Sequence, residues 1–298
     1  MSARPSNANA GSFFVAGLPY GWLLAFVAAP LFVIAAISLT DPAEGVPPYT
    51  ALVSRGDGTW RWTGDLDNYW TLGGDWHYVA AYLGSLRVAF VATLLTLLLG
   101  YPMAYAIARA RREWRVLLLT AVMLPFWTSF LIRVYAWIGI LNSNGFINTA
   151  LLDLGLIEEP LALLYTEFAV YIGIIYAYLP FMVMPIFAVL ERLDRAPVEA
   201  AMDLGARPIT AFLTVTLPLS LHGVLAGCLL VFVPAVGEFV VPELLGGSDF
   251  LMIGQLLWTE SFQNRDWPLA AAIAVALLLV VAVPILVLQK LSPRATRA

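Results

Sequence analysis

The sequence predicts an all-α polytopic membrane protein with six transmembrane helices, and three observations support this fold class. Of the 298 residues, 61% are hydrophobic and 12% are charged, whereas soluble proteins average about 45–50% apolar and about 25% charged residues. The mean hydropathy of the chain is +0.83. Six apolar stretches are long enough to cross a bilayer core, which needs a helix of about 20 residues. The chain therefore belongs in a lipid bilayer.

The six predicted spans are long segments almost free of Asp, Glu, Lys and Arg. Prolines such as Pro102, Pro180 and Pro234 lie inside several of them, and neighbouring helices of a bundle can accommodate such prolines. Arg133 interrupts the third. We therefore expect kinked helices around a pathway. The predicted spans are Leu18 to Leu39, Val88 to Ala108, Val116 to about Leu141, Phe168 to Leu190, Ile209 to Gly237 and Trp267 to Gln289.

The basic residues predict which connections face the cytoplasm, because cytoplasmic loops carry an excess of Lys and Arg. They cluster in the second connection, in the fourth connection and at the C-terminus. The predicted organisation is a cytoplasmic tail 1–17, a single transmembrane domain 18–290 and a cytoplasmic tail 291–298. The first span is long and is interpreted as uncleaved. The basic residues are Arg109, Arg111, Arg112 and Arg115; Arg192, Arg195 and Arg207; and Lys290, Arg294 and Arg297.

The predicted outer connections are acidic. An acidic vestibule would attract cations, but loops depleted of Arg and Lys look acidic whatever crosses the membrane, so both interpretations stay open. The first connection also holds four tryptophans, typical of segments at a membrane interface, and the last holds a helical stretch, Met252 to Phe262, expected to fold over the outer mouth. The acidic residues of the first connection are Asp41, Glu44, Asp57, Asp65, Asp67 and Asp75, and those of the last are Glu243, Asp249, Glu260 and Asp266. The four tryptophans are Trp60, Trp62, Trp70 and Trp76.

The connection between the fourth and fifth spans, residues 191–216, carries the most specific motif of the chain. It reads EAAMDLGARP from Glu199 and leads into VTLP, which ends at Pro218. Pro197 and Glu199 favour the start of a helix. Gly205 permits a positive φ, and Pro208 then turns the chain in a new direction. The sequence therefore predicts two short helices joined at an angle, here called the elbow loop.

This motif resembles the signature of binding-protein-dependent importer permeases: EAA, three residues, Gly, nine residues, then I-x-LP, with Val215 in place of isoleucine. The resemblance implies that the elbow loop docks in a groove of a separate ATPase and transmits its closure. The alternative is an ordinary amphipathic linker. Because the chain has no GxxxxGK[ST] loop, we expect no cofactor in it, with ATP and Mg bound by the partner ATPase. The residues assigned to coupling are Glu199, Ala200, Ala201, Asp203, Gly205, Ala206, Leu217 and Pro218.

A second resemblance covers about Tyr82 to Gln289 and concerns the substrate. The strings LPFWTSFLIRVYAW, from Leu124, and PAVGEF, from Pro234, are similar to putrescine and spermidine permeases, most of all the putrescine type. The resemblance implies a type I ABC importer permease fold in the bacterial inner membrane. It also implies a heterodimer with a second homologous permease, two ATPase subunits and a periplasmic polyamine-binding protein, with putrescine favoured over spermidine as cargo.

A path for polyamines should offer carboxylates and aromatic faces to the ammonium groups. Glu238, near the outer end of the fifth span, is the leading candidate. Its alternatives are an acid solvated in the outer loop or one paired with Arg133 or Arg265. Arg133 itself is assigned a structural or gating pair. The candidate path residues are Glu238, Glu243, Trp127, Tyr135, Tyr176 and Tyr178, although aromatic residues at such positions commonly serve packing or interface anchoring.

Other function classes lack a matching pattern in the sequence. His77 and His222 are isolated and Cys228 is a single cysteine, so neither a metal site nor a disulfide is predicted. No nucleophile–base set and no basic aromatic surface stands out, which argues against an enzyme or a nucleic-acid partner. A secondary transporter should carry coupling acids at mid-membrane, whereas here nearly all acids fall in connections or at span ends. The remaining alternative is an importer permease for another small solute, such as an oxyanion, thiamine or iron.

Overall fold

The computed structural model describes residues 17–56, 59–247 and 250–291. The helices are α1 Gly17–Ile37, α2 Asp67–Gly74, α3 Trp76–Arg109, α4 Arg112–Met123, α5 Phe130–Leu141, α6 Phe146–Asp153, α7 Glu167–Arg192, α8 Ala196–Asp203, α9 Pro208–Leu219, α10 Leu221–Val236, α11 Val240–Leu245, α12 Ile253–Trp258 and α13 Trp267–Leu291. Two strands, β1 Val53–Gly56 and β2 Thr59–Trp62, pair antiparallel. Outside the described residues lie Asp57, Asp249, Arg294, Arg297, the tail 1–16, residues 292–298 and the side chain of Lys290.

Apolar helical segments stand at all six predicted spans. By length and hydropathy, α1, α3, α7 and the segment 130–153 can each cross a membrane, and the bent pair α9–α10 counts as a fifth span if the pair is one broken span. The sixth segment, α13, is apolar from Trp267 to Val283 and remains helical to Leu291. The all-α membrane architecture is therefore confirmed, with four helical segments of spanning length, or five with the bent pair, among the described residues against the six predicted. The hairpin β1–β2 is an addition that the sequence analysis did not predict.

The second span is longer than predicted, because α3 begins at Trp76 rather than at Val88. The added turns mix polar and apolar residues, so a search for apolar runs stops short of them. Packing decides their structure: Ala81 and Ser85 are buried, and the Ser85 Oγ accepts a hydrogen bond of 2.8 Å from the Ile253 backbone N–H. The helix is therefore extended by tertiary contacts that hydropathy does not report.

The third predicted span is not one helix. The chain leaves α4 through a 3₁₀ turn, Leu124–Trp127, and passes through an extended Thr128 and Ser129 before α5 begins. Pro125 lies in this turn, where its missing N–H and its ring disfavour a continuous α-helix. The break places the aromatic residues around Pro125 beside the start of α5, and the prediction of a continuous span over this region is wrong.

One compact unit comprises the described residues up to Trp76 together with Leu257–Leu278. Within it, the Asn68 Nδ2 donates to the Ser38 and Thr40 carbonyls at 3.1 and 2.8 Å, which fastens α2 to the end of α1. The apolar side chains of α1 are exposed along residues 17–33. The four predicted interface tryptophans, Trp60, Trp62, Trp70 and Trp76, are also exposed. Such a surface is suited to lipid or to a partner subunit.

The other compact unit comprises the described residues of His77–Leu256 and those from Leu279 onward. Its core lies where α3, α7 and α10 meet around the fully buried Met182. A Cβ added at Gly100 or Gly227 would lie 2.8 Å from the Met182 side chain, so only glycine allows α3 and α10 to approach α7 this closely. Small residues at helix contacts are typical of membrane bundles. This core is the scaffold for the residues described next.

Candidate functional site

The elbow loop has the predicted conformation. Helix α8 carries Pro197 in its first turn and is followed by Gly205, whose φ of +87° confirms the predicted positive value. The Gly205 and Ala206 N–H groups donate to the Met202 and Ala201 carbonyls at 2.9 and 3.0 Å, satisfying the end of the helix. A Cβ at Gly205 would meet no atom within 4 Å. Glycine is therefore required here by backbone conformation and not by lack of space.

The elbow loop exposes an apolar surface. Met202, Leu204 and Ile209 are exposed to 48%, 89% and 73%. Among the residues assigned to coupling, some are exposed and some are half-buried. The exposed ones are Glu199, Ala200, Asp203, Gly205 and Pro218, and the half-buried ones are Ala201, Ala206 and Leu217. Exposed apolar side chains grouped in this way mark a surface for a protein partner or for the membrane.

The C-terminal part of the elbow loop is anchored to α3. The axes of α9 and α10 meet at 65°, and Ser220 at their junction is fully buried. The Ser220 Oγ donates to the Leu217 carbonyl at 3.0 Å and shares a hydrogen bond of 2.8 Å with the Tyr101 hydroxyl. The Phe212 ring packs edge-on against Tyr101 and Tyr105, with centroids 5.6 Å apart in both pairs. The bend in the fifth span is therefore held by side chains of the second.

The start of the elbow loop is held by Arg115, which the sequence analysis used only as an orientation signal. Its Nη1 lies 2.8 Å from the Glu191 Oε1, and its Nη2 donates to the Ala108 carbonyl at 3.0 Å. A cation at the C-terminus of α3 satisfies carbonyls that lack helical partners and complements the helix dipole. One guanidinium thus ties the ends of α3 and α7 together just before the elbow loop.

Glu238 is buried, with 7% of its surface exposed. Its Oε1 accepts hydrogen bonds from the Val240 and Val241 N–H groups at 3.1 and 3.3 Å, which caps α11, and its Oε2 accepts one from the Tyr178 hydroxyl. The interpretation of Glu238 as a solvated acid is therefore wrong, and so is its pairing with Arg133. Instead, the carboxylate fixes the position of the Tyr178 ring.

Arg133 projects from α5 over two aromatic rings. Its guanidinium carbon lies 5.0 Å from the centroid of Phe126 and 5.6 Å from that of Phe130, both within the distance of a cation–π contact. Its Nε and Nη1 are buried and have no hydrogen-bond acceptor among the described residues. The gating or structural ion pair predicted for Arg133 is therefore not formed within the described part of the chain.

A row of aromatic rings connects this guanidinium with the Tyr178–Glu238 pair. The Phe126 ring meets that of Phe181 edge-on, with centroids 5.1 Å apart, and the Phe181 ring lies 6.2 Å from that of Tyr178. We call Phe130, Phe126, Phe181 and Tyr178 the aromatic row. The row has a cation at one end and a carboxylate at the other, and its rings come from three different helical elements.

The other predicted path residues do not join the aromatic row. Trp127 and Tyr135 are exposed to 78% and 58%, the Tyr176 ring packs edge-on against Trp137 at 5.5 Å, and Glu243 accepts a hydrogen bond of 3.0 Å from the Gln255 Nε2. Of the six candidates, the structure brings together Tyr178 and Glu238. The phenylalanines of the aromatic row were not among the predicted path residues; Phe126 and Phe130 lie in the string around Pro125, and Phe181 follows Pro180.

One known protein family matches more than half of the chain. The family described as "Binding-protein-dependent transport system inner membrane component" matches residues 96–297. The chain belongs to this family. Membership confirms the predicted importer permease, which is a transport subunit and not an enzyme, and its place in the inner membrane.

Relatives and a solved structure agree with this assignment. The chain is 39% identical over 273 residues to the "Spermidine/putrescine transport system permease protein PotB" of Escherichia coli, covering 91% of this chain and 94% of that protein. The protein of the same name from Haemophilus influenzae is 37% identical over 268 residues, with 90% and 89% covered. A chain of a bacterial ABC transporter "involved in the import of the acidic polysaccharide alginate" superimposes with a TM-score of 0.70 at 18% identity, covering 96% of this chain and 99% of that chain. The predicted type I importer permease fold is thereby confirmed.

Proposed function

We propose that this permease subunit moves a polyamine across the bacterial inner membrane. The observation that carries the proposal is the 37–39% identity, over nine-tenths of the chain, to permeases named for spermidine and putrescine. Putrescine as the preferred cargo stays our prediction from the strings around Leu124 and Pro234. The cargo reaches the permease from a periplasmic polyamine-binding protein.

The proposed assembly contains a second homologous permease, two ATPase subunits and the binding protein, embedded in the lipid bilayer. The exposed Met202, Leu204 and Ile209 of the elbow loop support docking of an ATPase subunit there, because burying them removes apolar surface from water. ATP and Mg are bound by that subunit. In this arrangement the elbow loop and both tails are cytoplasmic, and residues 18–290 act as one transmembrane domain.

The proposed mechanism is alternating access driven through the elbow loop. Closure of the ATPase pair pulls on α8 and α9. Two contacts carry that movement into the spans: the Phe212 ring and the buried Ser220 pass it to Tyr101 on α3, and the Arg115–Glu191 pair passes it to the base of α7. Hydrolysis of ATP then resets the spans to the inward-facing state.

The proposed path is lined by Glu238, Tyr178, Trp127, Tyr135, Tyr176 and Glu243. The exposed aromatic faces of Trp127 and Tyr135 suit ammonium groups and the alkyl chain between them. Glu238 acts through its negative charge and through the orientation of Tyr178, since its oxygens already accept hydrogen bonds from the chain itself. A carboxylate inside a membrane bundle is costly and commonly serves the transported ion.

The proposed cargo is tested by ATPase activity of the importer reconstituted in lipid with its partner subunits and binding protein. We expect putrescine to stimulate hydrolysis, spermidine to stimulate it less, and sulfate or thiamine to leave it at the basal rate. Stimulation by spermidine alone would reverse the predicted preference. Stimulation by the non-polyamine solutes, with none by either polyamine, would refute the proposed cargo.

A further inference from the structure

The aromatic site formed by Phe126 and Phe130 already holds a cation, the guanidinium of Arg133, at 5.0 and 5.6 Å from the two ring centroids. Aromatic faces of this kind recognise ammonium ligands as well as guanidinium groups. A polyamine carries such ammonium groups at its ends. The Arg133 guanidinium therefore occupies a position that would also suit an ammonium group of a polyamine.

The contacts of Arg133 indicate that it can leave this position. Its buried Nε and Nη1 have no acceptor among the described residues, and a buried donor without a partner is costly compared with one in water. Apart from the two ring contacts, no ion pair within the described chain retains it. If the guanidinium moved into a hydrated path, its N–H groups would donate hydrogen bonds to water.

The surroundings also provide a route for an arriving cation. Trp127, next to Phe126, is 78% exposed and Phe181 is 39% exposed, so the aromatic row is accessible from the surface of this chain. The row continues through Tyr178 to the buried carboxylate of Glu238. Exchange of one cation for another keeps a positive charge over the two rings, so the aromatic faces retain a cation–π partner throughout.

We propose that Arg133 is a tethered substitute for the substrate ammonium: it occupies the Phe126–Phe130 site when no polyamine is present and is displaced when a polyamine ammonium enters. The proposal rests on the proposed polyamine cargo. It makes Arg133 a competitor of the substrate, so removing its charge strengthens binding. If Arg133 were purely structural, removing it would instead weaken polyamine binding.

The test is equilibrium binding of radiolabelled putrescine and spermidine to the purified complex of both permeases and the ATPase, without the binding protein. For Arg133→Ala and Arg133→Gln we expect the Kd to fall about tenfold, because the site is vacated. Arg133→Lys keeps a tethered cation and should stay within about twofold of wild type. Adding Phe126→Leu to Arg133→Ala should remove the gain, because the ring that receives the ammonium is lost.

The matched control is Arg87→Ala, which removes the same charge from an exposed arginine paired with Glu167 at 3.4 Å. An equal gain in this control would overturn the proposal, since bulk charge would then explain the result. Unchanged or weaker binding by Arg133→Ala and Arg133→Gln would overturn it too. So would failure of both variants to accumulate while Arg133→Lys accumulates, because Arg133 would then be structural. Failure of the cargo assignment is recognised separately, by absence of polyamine-stimulated ATPase in the wild-type importer.

Discussion

The elbow loop consists of consecutive residues, 191–216, whereas the aromatic row collects its side chains from the turn before α5, from α5 itself and from α7. The elbow loop depends on backbone conformation: Gly205 has a φ of +87° and ample space around it. The aromatic row depends on side-chain packing, with ring centroids 5.1–6.2 Å apart. A substitution should therefore act through strain in the first region and through lost contacts in the second.

The difference also concerns what each region leaves exposed. The elbow loop presents Leu204 at 89% exposure, an apolar side chain that docking against a partner would remove from water. The aromatic row keeps Glu238 at 7% exposure and uses the carboxylate to hold its own tyrosine. The elbow loop therefore exposes apolar side chains at the surface, whereas the aromatic row is held by contacts within the chain itself.

The largest effect is expected for Gly205→Val in the elbow loop. A β-branched residue at positive φ costs roughly 1–2 kcal/mol, so about a tenfold loss of correctly shaped elbow loop is expected. Polyamine uptake into proteoliposomes should fall to that extent while membrane insertion stays normal. Gly205→Asn is the control, because Asn adopts the left-handed conformation more readily and should retain more uptake. Full uptake by the Val variant at normal abundance would contradict the conformational requirement.

A smaller effect is expected for Glu238→Gln at the end of the aromatic row. The amide preserves the shape and the cap on α11 but removes the negative charge. Uptake of putrescine should fall about fivefold, equivalent to about 1 kcal/mol, with the thermal midpoint of the complex almost unchanged. Glu167→Gln removes the same charge from an exposed carboxylate and serves as the control. Parallel loss of uptake and thermal stability in the Glu238 variant would instead make the carboxylate purely structural.

The smallest effect is expected for Tyr101→Phe, which removes the buried hydrogen bond to Ser220 but keeps the ring against Phe212. Losing one such bond costs about 1 kcal/mol, and the transmitted movement should weaken, so fewer substrate molecules should be taken up per ATP hydrolysed. Tyr105→Phe keeps the second ring against Phe212, and its hydroxyl has no hydrogen bond among the described residues. Identical coupling ratios in the two variants would show that the Ser220 contact transmits nothing.

The sequence by itself determined the membrane class, the approximate positions of the spans and the shape of the elbow loop. These features depend on local quantities: the length of apolar runs for the spans, and the φ preference of Gly205 between two short helices for the elbow loop. The motif around Glu199 was also sufficient to indicate the family, since it lies within one continuous segment of the chain.

Only the tertiary structure decided where the third span breaks, what Glu238 does and which rings meet Arg133. Hydropathy registers a break at Pro125 poorly because both sides of it are apolar. Glu238 and Tyr178 are separated by 60 positions along the chain, and no local rule reports that α7 and the end of α10 bring them together. Partners of buried polar groups are set by helix packing, which depends on contacts between residues far apart in the sequence.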